Sequence, residues 1–149
     1  MNNLFKTKLI KKITLVFFIF LLSLCLFFVR QTNTTHTNQK MYVIRSFTET
    51  YEDGYIQNLS ILLSAYDVPN YEACSWEIIK HCRQNDFSNI QFSYDVIGYP
   101  CVLQGSVYLN ETDYNNQKEL FHFSYQPVQY PDYSYDIYHD SEQYQLIID

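Results

Sequence analysis

The feature that most constrains this chain is an uncharged apolar run of 17 residues, from Ile13 to Val29. A helix of about 17 residues spans roughly 25 Å, which is at the short end of the range for a bilayer helix. Charged side chains bracket the run, and long basic side chains extend its reach by snorkelling toward the interfaces. The run therefore predicts a transmembrane helix flanked by Lys11, Lys12 and Arg30.

The basic residues around this run orient it. Four lysines precede the run and a single arginine follows it, so the positive-inside rule predicts a cytoplasmic N-terminus. The expected location is the cell membrane, with one pass and the C-terminal part outside. The predicted organisation has four parts: a cytoplasmic basic tail (1–12), a signal anchor (13–29), a polar stalk (30–39) and an acidic extracytoplasmic domain (40–149).

Two other interpretations of the N-terminal segment stay open. A cleaved signal peptide would release the chain as a secreted protein, although no Ala-x-Ala-like site follows the run. A lipoprotein would use Cys25, although leucine stands before it where such signals need a small residue. The uncleaved anchor is therefore favoured.

Charge and composition exclude several classes for residues 40–149. This part carries five bases and sixteen acids, a net charge of −11, whereas the whole chain carries −6. Such a body repels phosphates, so nucleic acid is not an expected partner. A chain that is 47% hydrophobic and 18% aromatic can bury a core, which argues against disorder. No cofactor fingerprint is present, and no cofactor is predicted.

Residues 70–85 have the pattern of an amphipathic helix. Asn70 is a favourable N-cap, and Glu72 lies beside the positive end of the helix dipole. At about 100° per residue, one stripe collects small and apolar side chains that predict the buried face. These are Cys74, Ser75, Ile78, Ile79 and Cys82.

Alternation with a period of two predicts strands in much of the remainder. The alternating segments are residues 56–65, 89–97, 101–110 and 119–125, with 41–51, 133–138 and 143–148 as further candidates. Because the connections after residue 89 are short, we expect an antiparallel meander. The predicted fold class is α+β: a transmembrane helix, then a small two-layer domain with one helix packed on an antiparallel sheet of about four to five strands, in the order strand-helix-strand-strand-strand.

Three cysteines lie beyond the apolar run, at Cys74, Cys82 and Cys101. Residues eight apart on one helix are about 12 Å apart, so Cys74 and Cys82 cannot pair. A strand over 89–97 that runs back along the helix would bring Cys101 toward Cys74. Two interpretations stay open: three buried free thiols, or a Cys74–Cys101 disulfide favoured by the oxidising side of the membrane.

His81, Cys82 and His122 are the candidate catalytic residues of an enzyme hypothesis. A thiol nucleophile needs a base within hydrogen-bond reach, but neighbouring helix positions such as His81 and Cys82 point about 100° apart. Metal-ligand spacings such as Cys-x-x-Cys are also missing from the sequence, so no zinc site is predicted.

The C-terminal segment is rich in tyrosines and carboxylates. Such a mixture suits recognition of sugars or proteins, because tyrosine combines a large apolar ring with a polar tip. Edge strands with an exposed acidic face are the plainer interpretation. The candidate interaction surface comprises Tyr130, Tyr133, Tyr135, Tyr138, Asp132 and Asp136.

The stretch from Asp67 to Tyr94 carries a resemblance. It contains Asp-Val-Pro-Asn-Tyr-Glu-Ala-Cys (67–74), Glu-Ile-Ile-Lys-His-Cys-Arg-Gln-Asn-Asp-Phe (77–87) and Phe-Ser-Tyr (92–94). With the segment after it, this resembles short single-pass proteins of low-GC Gram-positive bacteria. The resemblance implies a bacterial, membrane-anchored protein and no particular activity.

Together these patterns predict a non-enzymatic, membrane-tethered extracytoplasmic binding module. Its expected partners are the bilayer, through residues 13–29, and a protein or an envelope component. The alternatives are a small hydrolase or thiol enzyme that uses His81, Cys82 or His122, and a sensor or immunity-like accessory protein.

Overall fold

A five-stranded sheet organises the computed structural model, which describes residues 40–64, 68 and 70–149. The strands are β1 (Tyr42–Thr50), β2 (Tyr55–Leu62), β3 (Val102–Tyr108), β4 (Phe121–Pro127) and β5 (Tyr144–Ile148). The helices are α1 (Tyr71–Gln84), α2 (Tyr94–Ile97) and α3 (Glu111–Asn115), with a short 3-10 helix at Ser141–Gln143. The predicted anchor and stalk lie outside these residues. Within the described ranges, no helix is both long and apolar enough to cross a membrane.

The sheet is mixed, with its strands in the order β1-β2-β3-β4-β5. Strands β2 and β3 pair in parallel, and the other neighbours pair antiparallel. The predicted α+β class is confirmed, and the five strands agree with the predicted four to five. The predictions of a wholly antiparallel sheet, of a single helix and of the order strand-helix-strand-strand-strand were wrong, because two strands precede α1 and two short helices follow it. Parallel neighbours need a long crossover, and the connection that contains α1 supplies one between β2 and β3.

Residues 89–97 were predicted as a strand, and this was wrong. The Asn85 side chain accepts from the backbone N–H of Phe92 and donates to its carbonyl oxygen, both at 2.8 Å. Asn89 bonds the backbone N–H and carbonyl of Val43 in the same way, at 3.2 and 2.8 Å. Side-chain amides thus take the place of a strand ladder, and this segment connects α1 to β3.

The predicted edge strand over 133–138 is also absent. Turns occupy this segment and the residues around it, and the chain becomes extended again only at β5. The early strand over 41–51 is present as β1, and the strand predicted at 143–148 is present as β5. The four tyrosines of the candidate interaction surface therefore lie in loops between β4 and β5.

The helix predicted over residues 70–85 is confirmed as α1, with the predicted N-cap and the predicted buried face. The Asn70 side chain accepts a hydrogen bond from the Ala73 N–H at 2.9 Å, which satisfies a donor of the first turn. The helix packs on β4 through Trp76, whose ring lies edge-on to Tyr125 at 5.6 Å. Its buried residues are Cys74, Ser75, Ile78, Ile79 and Cys82.

The core lies between α1 and one face of the sheet. Alternation along β3 and β4 places their apolar residues on that face, as predicted. Burial of each such side chain contributes about 1.5–3 kcal/mol relative to exposure. Buried members from the sheet are Leu59, Ile61, Leu103, Val107, Phe121, Phe123 and Tyr125.

Candidate functional site

The three candidate catalytic residues do not come together. The His81 Nδ1 lies 2.6 Å from Asp86 Oδ1 at the surface, whereas Cys82 is fully buried on the inward face of α1. His122 lies on the opposite face of the sheet, with its Nδ1 3.3 Å from Glu119 Oε1. The predicted enzyme residues therefore form no nucleophile–base pair.

The cysteines have the environment of inert core thiols. Burial raises the pKa of Cys74 to about 11 and raises the pKa of Cys82 well above its usual range. A reactive cysteine needs the reverse shift, because the thiolate is the nucleophile. Cys101 donates from Sγ to the Tyr133 carbonyl oxygen at 3.2 Å, and all three cysteines are free.

The disulfide interpretation depended on a strand that is not present. Without a strand over 89–97, nothing carries Cys101 back along α1 to Cys74. The two residues belong to different apolar clusters, Cys74 to the main core and Cys101 to a smaller one with Ile56 and Val102. The structure therefore holds Cys74 and Cys101 as separate free thiols rather than as a pair.

The predicted C-terminal surface divides into separate groups. Tyr133 stacks on Tyr51 of the β1–β2 turn, with ring centroids 4.8 Å apart and planes 9° apart. Tyr130 lies edge-on to Tyr133 at 6.2 Å. Tyr135 is half-buried against the main core. Tyr138 belongs to a different aromatic group, on the side of the domain near α2.

The two carboxylates of that surface stabilise turns. Asp132 Oδ1 accepts from the N–H and the hydroxyl of Ser134, and these bonds hold the pKa of Asp132 below its usual value. Asp136 accepts from the N–H groups of Tyr138 and His139 at 2.8 Å. Although partial burial opposes it, this bonding and the His139 ring lower the pKa of Asp136. Both carboxylates are engaged within the chain.

A row of packed aromatic side chains links the end of α1 to the C-terminal loops. Phe87 lies edge-on to Phe92 at 6.2 Å, and Phe92 stacks on Tyr94 at 5.2 Å. Tyr94 packs against Tyr99 at 4.6 Å, and Tyr99 stacks on Tyr138 at 4.6 Å with planes 12° apart. Such pairs contribute about 0.5–1.5 kcal/mol each beyond the area they bury.

A cavity of about 390 Å³ lies against this row of aromatic side chains. Its volume falls within the range of roughly 300–1,000 Å³ that is typical of small-molecule sites. Here it is called the aromatic pocket, and its lining residues are Asn85, Gln91, Phe92, Tyr94, Asp95 and Tyr99.

Hydrogen bonds to the sheet hold the walls of the aromatic pocket. The Tyr94 hydroxyl donates to Oε1 of the buried Gln57 at 2.5 Å, which ties α2 to β2. The Tyr55 hydroxyl donates to the Gly98 carbonyl oxygen at 2.7 Å, just after α2. Burial raises the pKa of Tyr94 well above its usual range, so its hydroxyl stays a donor. The pocket is therefore preorganised.

Two exposed apolar side chains belong to α2, the helix that also carries the lining residues Tyr94 and Asp95. Val96 is 78% exposed and Ile97 is 56% exposed. Both follow Asp95 directly, and Tyr138, which is 46% exposed, stacks on a lining ring. The pocket was not predicted, because the alternation of apolar and polar residues around Phe92 and Tyr94 matches a strand. The two consecutive apolar residues before Gly98 were the available sign of a break.

Asn85 offers a test of how the pocket is held together. It ends α1 in the left-handed conformation (φ 53°), and its side chain bonds both backbone groups of Phe92. Asn85→Ala should lower the free energy of unfolding by about 3 kcal/mol, since a left-handed alanine and two lost hydrogen bonds each add to the cost. Chemical denaturation of the full chain in a non-ionic detergent measures this.

Asn85→Gly is the matched control, because glycine adopts the left-handed conformation without strain. Asn85→Gly should lower the free energy of unfolding by about 1 kcal/mol less than Asn85→Ala does, since it loses only the two hydrogen bonds of the side-chain amide. Equal costs for the two variants would contradict the assigned backbone role.

Among residues 40–64, 68 and 70–149, no cluster of three or more His, Cys, Asp or Glu side chains could hold a metal ion. Comparisons with protein-family models, with curated proteins and with solved structures found no match. The geometry of the aromatic pocket is therefore the basis for assigning a function.

Proposed function

We propose that this chain is a non-enzymatic binding module, anchored in the membrane by residues 13–29, which captures a ligand outside the cell through its aromatic pocket. The apolar run and the four lysines before it support the anchor and its orientation. The resemblance at residues 67–94 agrees with a bacterial membrane protein. The single observation that carries the binding function is the aromatic pocket with its exposed apolar rim.

Rigidity is the first argument for binding at this pocket. The three rings that line the aromatic pocket pack on one another, and hydrogen bonds from Tyr55 and Tyr94 fix α2 and the residue after it. A preformed wall lowers the entropy cost of binding, because its side chains are already ordered. The rim is the second argument, since Val96 and Ile97 expose apolar surface that the fold does not need.

The lining chemistry favours binding over catalysis. Three rings, two amides and one carboxylate line the pocket. The histidines and cysteine of the enzyme hypothesis are not among them. An activity would need a nucleophile with a base in hydrogen-bond reach, as in known covalent catalysts. A sensor or immunity-like protein would use the same binding surface, so this alternative is compatible with the proposal.

A photocrosslinking experiment in intact Gram-positive cells tests the proposal. The full chain carries p-benzoylphenylalanine at Ile97, on the rim, or at Phe47 on β1 as the control position. We expect a discrete adduct with a molecule other than this chain, in the membrane fraction, from position 97 alone. Tyr138→Ser should abolish the adduct at position 97, whereas Phe47→Ser should leave it unchanged; the two rings are 46% and 45% exposed.

Substitution is preferable to truncation in this experiment. Removing residues 127–149 would delete β5, so the sheet would lose an edge strand and the buried Tyr144. Equal adducts at both positions, or none at position 97, would contradict binding at the aromatic pocket. Release of the chain into the medium without residues 13–29 would contradict the uncleaved anchor.

A further inference from the structure

We infer that a second copy of this chain pairs with the outer edge of β1, so that two domains form a symmetric dimer with one continuous sheet. The inference goes beyond the proposed binding function and does not depend on the aromatic pocket. It starts from the place of β1 at one end of the strand order, where β2 is its neighbour on one side only. The free edge of such a strand presents unpaired N–H and C=O groups, and another strand can pair with them.

Strand β1 lacks the features that usually protect a sheet edge, which are shortness, proline, lysine and bulges. At nine residues it is the longest strand of the sheet, and it contains neither proline nor lysine. Its register shift lies near the N-terminal end, between Val43 and Arg45, and Asn89 bonds the backbone of Val43 there. Over residues 45–50 every side chain is exposed, and no described residue outside β2 bonds the backbone. This part of the edge is therefore uncovered in the described structure.

The hydrogen bonds of the β1–β2 hairpin show which backbone groups point outward. At the turn, the Tyr51 N–H donates to the Gly54 carbonyl oxygen at 2.7 Å, so these residues form a hydrogen-bonded pair. Hydrogen-bonded and non-hydrogen-bonded pairs alternate along an antiparallel ladder, so the next pair, Thr50 and Tyr55, points away from the hairpin. The Tyr55 carbonyl oxygen agrees, because it accepts from the Cys101 N–H at 2.9 Å, on the side of β3. By the same alternation, the outward groups of β1 belong to Ser46, Thr48 and Thr50.

One antiparallel alignment of two β1 strands both satisfies these groups and pairs the charges. With Phe47 opposite Phe47 of the second copy, Ser46 lies opposite Thr48, and both residues have outward backbone groups. The same alignment places Arg45 opposite Glu49, twice in each dimer. Opposed charges, hydroxyls and aromatic rings are all stabilising cross-strand pairs. The segment Arg-Ser-Phe-Thr-Glu (45–49) is therefore complementary to its own reverse, as an interface with two-fold symmetry requires.

The two charged side chains of this segment lack an ion partner in the part of the chain that the structure describes. Neither Arg45 nor Glu49 forms a salt bridge there. They cannot pair with each other, because four residues of strand span about 13 Å. The Arg45 guanidinium lies 5.1 Å from the centroid of the Phe47 ring, and Glu49 Oε1 accepts from Asn58 Nδ2 at 3.1 Å. Both groups keep further hydrogen-bonding capacity, so a second strand would complete two ion pairs.

The apolar centre of the segment and its charge balance agree with self-association. The Phe47 ring is 45% exposed, and in a non-hydrogen-bonded pair it would lie directly against its copy. The net charge of −11 on residues 40–149 opposes association at long range, but residues 45–49 are neutral as a group. At physiological salt the Debye length is about 8 Å, so repulsion between distant carboxylates is screened.

Disulfide trapping of the full chain tests the alignment. Phe47→Cys places two thiols opposite each other on the symmetry axis, in a Cys25→Ser background that removes the cysteine of the apolar run. Oxidation with copper–phenanthroline in a non-ionic detergent should convert most of this variant into a covalent dimer, which a non-reducing gel detects. Ile147→Cys is the control, because it lies on β5 at the other edge of the sheet and is 38% exposed. The control should stay largely monomeric.

Charge reversal tests the pairing without altering the ring. Sedimentation equilibrium in a density-matched non-ionic detergent gives the dissociation constant of the dimer. Arg45→Glu or Glu49→Arg turns two attractive cross-strand pairs into repulsive ones and should raise this constant at least about tenfold. The double variant exchanges the charges and should return the constant to within about threefold of the original. Lys118→Glu makes the same charge change as Arg45→Glu on the exposed β3–β4 connection and should change the constant less than about twofold.

Four outcomes would overturn the inference: a full chain that sediments as a monomer, no preferential trapping at position 47, no rescue by the double variant, or equal effects of Arg45→Glu and Lys118→Glu. A dimer that is insensitive to all these charge changes would form through another surface. These results are distinct from failure of the proposed function. The photocrosslinker at position 47 should join two copies of the chain, whereas position 97 reports on the ligand of the aromatic pocket, so either result can fail alone.

Discussion

Replacing Gly105 with alanine should lower the free energy of unfolding by about 3 kcal/mol or more, at the upper end for overpacked cores. Gly105 lies on β3 opposite Phe123 of β4. A Cβ at this position would meet the Phe123 ring, at 2.5 Å from Cζ and closer still to Cε1. Because Phe123 is fully buried, its ring has no free space to enter. Chemical denaturation of the full chain in detergent measures the loss.

A double-mutant cycle identifies the cause of that loss. Phe123→Leu removes the ring that the new methyl group would meet, although it leaves a cavity of its own. Gly105→Ala combined with Phe123→Leu should therefore show a favourable coupling of at least about 1 kcal/mol. Simple additivity of the two costs would contradict steric conflict with Phe123.

Raising the pH from 10 to 12 should unfold the domain cooperatively. Tyr55, Tyr94 and Tyr144 are buried, and burial raises the pKa of each well above its usual value near 10. Each hydroxyl also donates a hydrogen bond, for Tyr144 to the Cys101 carbonyl oxygen at 2.7 Å. Ionisation of any of these three hydroxyls in the folded state would therefore break its hydrogen bond and leave a buried negative charge.

The direction follows from proton linkage. Above about pH 10 the unfolded chain releases these phenolic protons while the folded chain retains them, so stability falls as pH rises. The loss is up to about 1.4 kcal/mol per group per pH unit, hence about 8 kcal/mol for three groups over two units. That is comparable with the whole stability of a typical domain, about 5–15 kcal/mol.

Tyrosinate absorbance and far-ultraviolet circular dichroism measure this transition. Both signals should change together in one steep step, and Tyr144→Phe should reduce the number of protons released in it by about one. A smooth tyrosinate titration with unchanged circular dichroism would contradict the prediction. Titration in concentrated urea gives the unfolded reference, where the phenols should ionise near their usual value of about 10.

Local sequence patterns predicted the elements whose structure depends on local geometry. Helix α1 starts after Asn70 and buries the predicted stripe, because capping and the period of a helix are encoded within a few residues. Alternation on β3 and β4 gave the correct inward faces for the same reason. These patterns were sufficient for the α+β class.

The aromatic pocket required contacts between distant segments. Asn85 bonds Phe92, Tyr94 bonds Gln57, and Tyr99 stacks on Tyr138. Alternation between Ile90 and Val96 looks the same whether rings pack against a strand or against one another. The sequence therefore predicted an interaction surface in the C-terminal segment alone and did not indicate the aromatic pocket.

The sequence by itself determined the position of the apolar run, the separation of a basic N-terminal part from an acidic remainder, helix α1 and the inward faces of β3 and β4. Each of these depends only on neighbouring residues. Tertiary structure alone decided that β2 and β3 are parallel, because this depends on how the connection through α1 crosses the sheet. It also decided that Asp132 and Asp136 stabilise turns, through hydrogen bonds to Ser134 and to Tyr138 and His139. Partners of a side chain far along the chain are set by packing, and local patterns do not specify them.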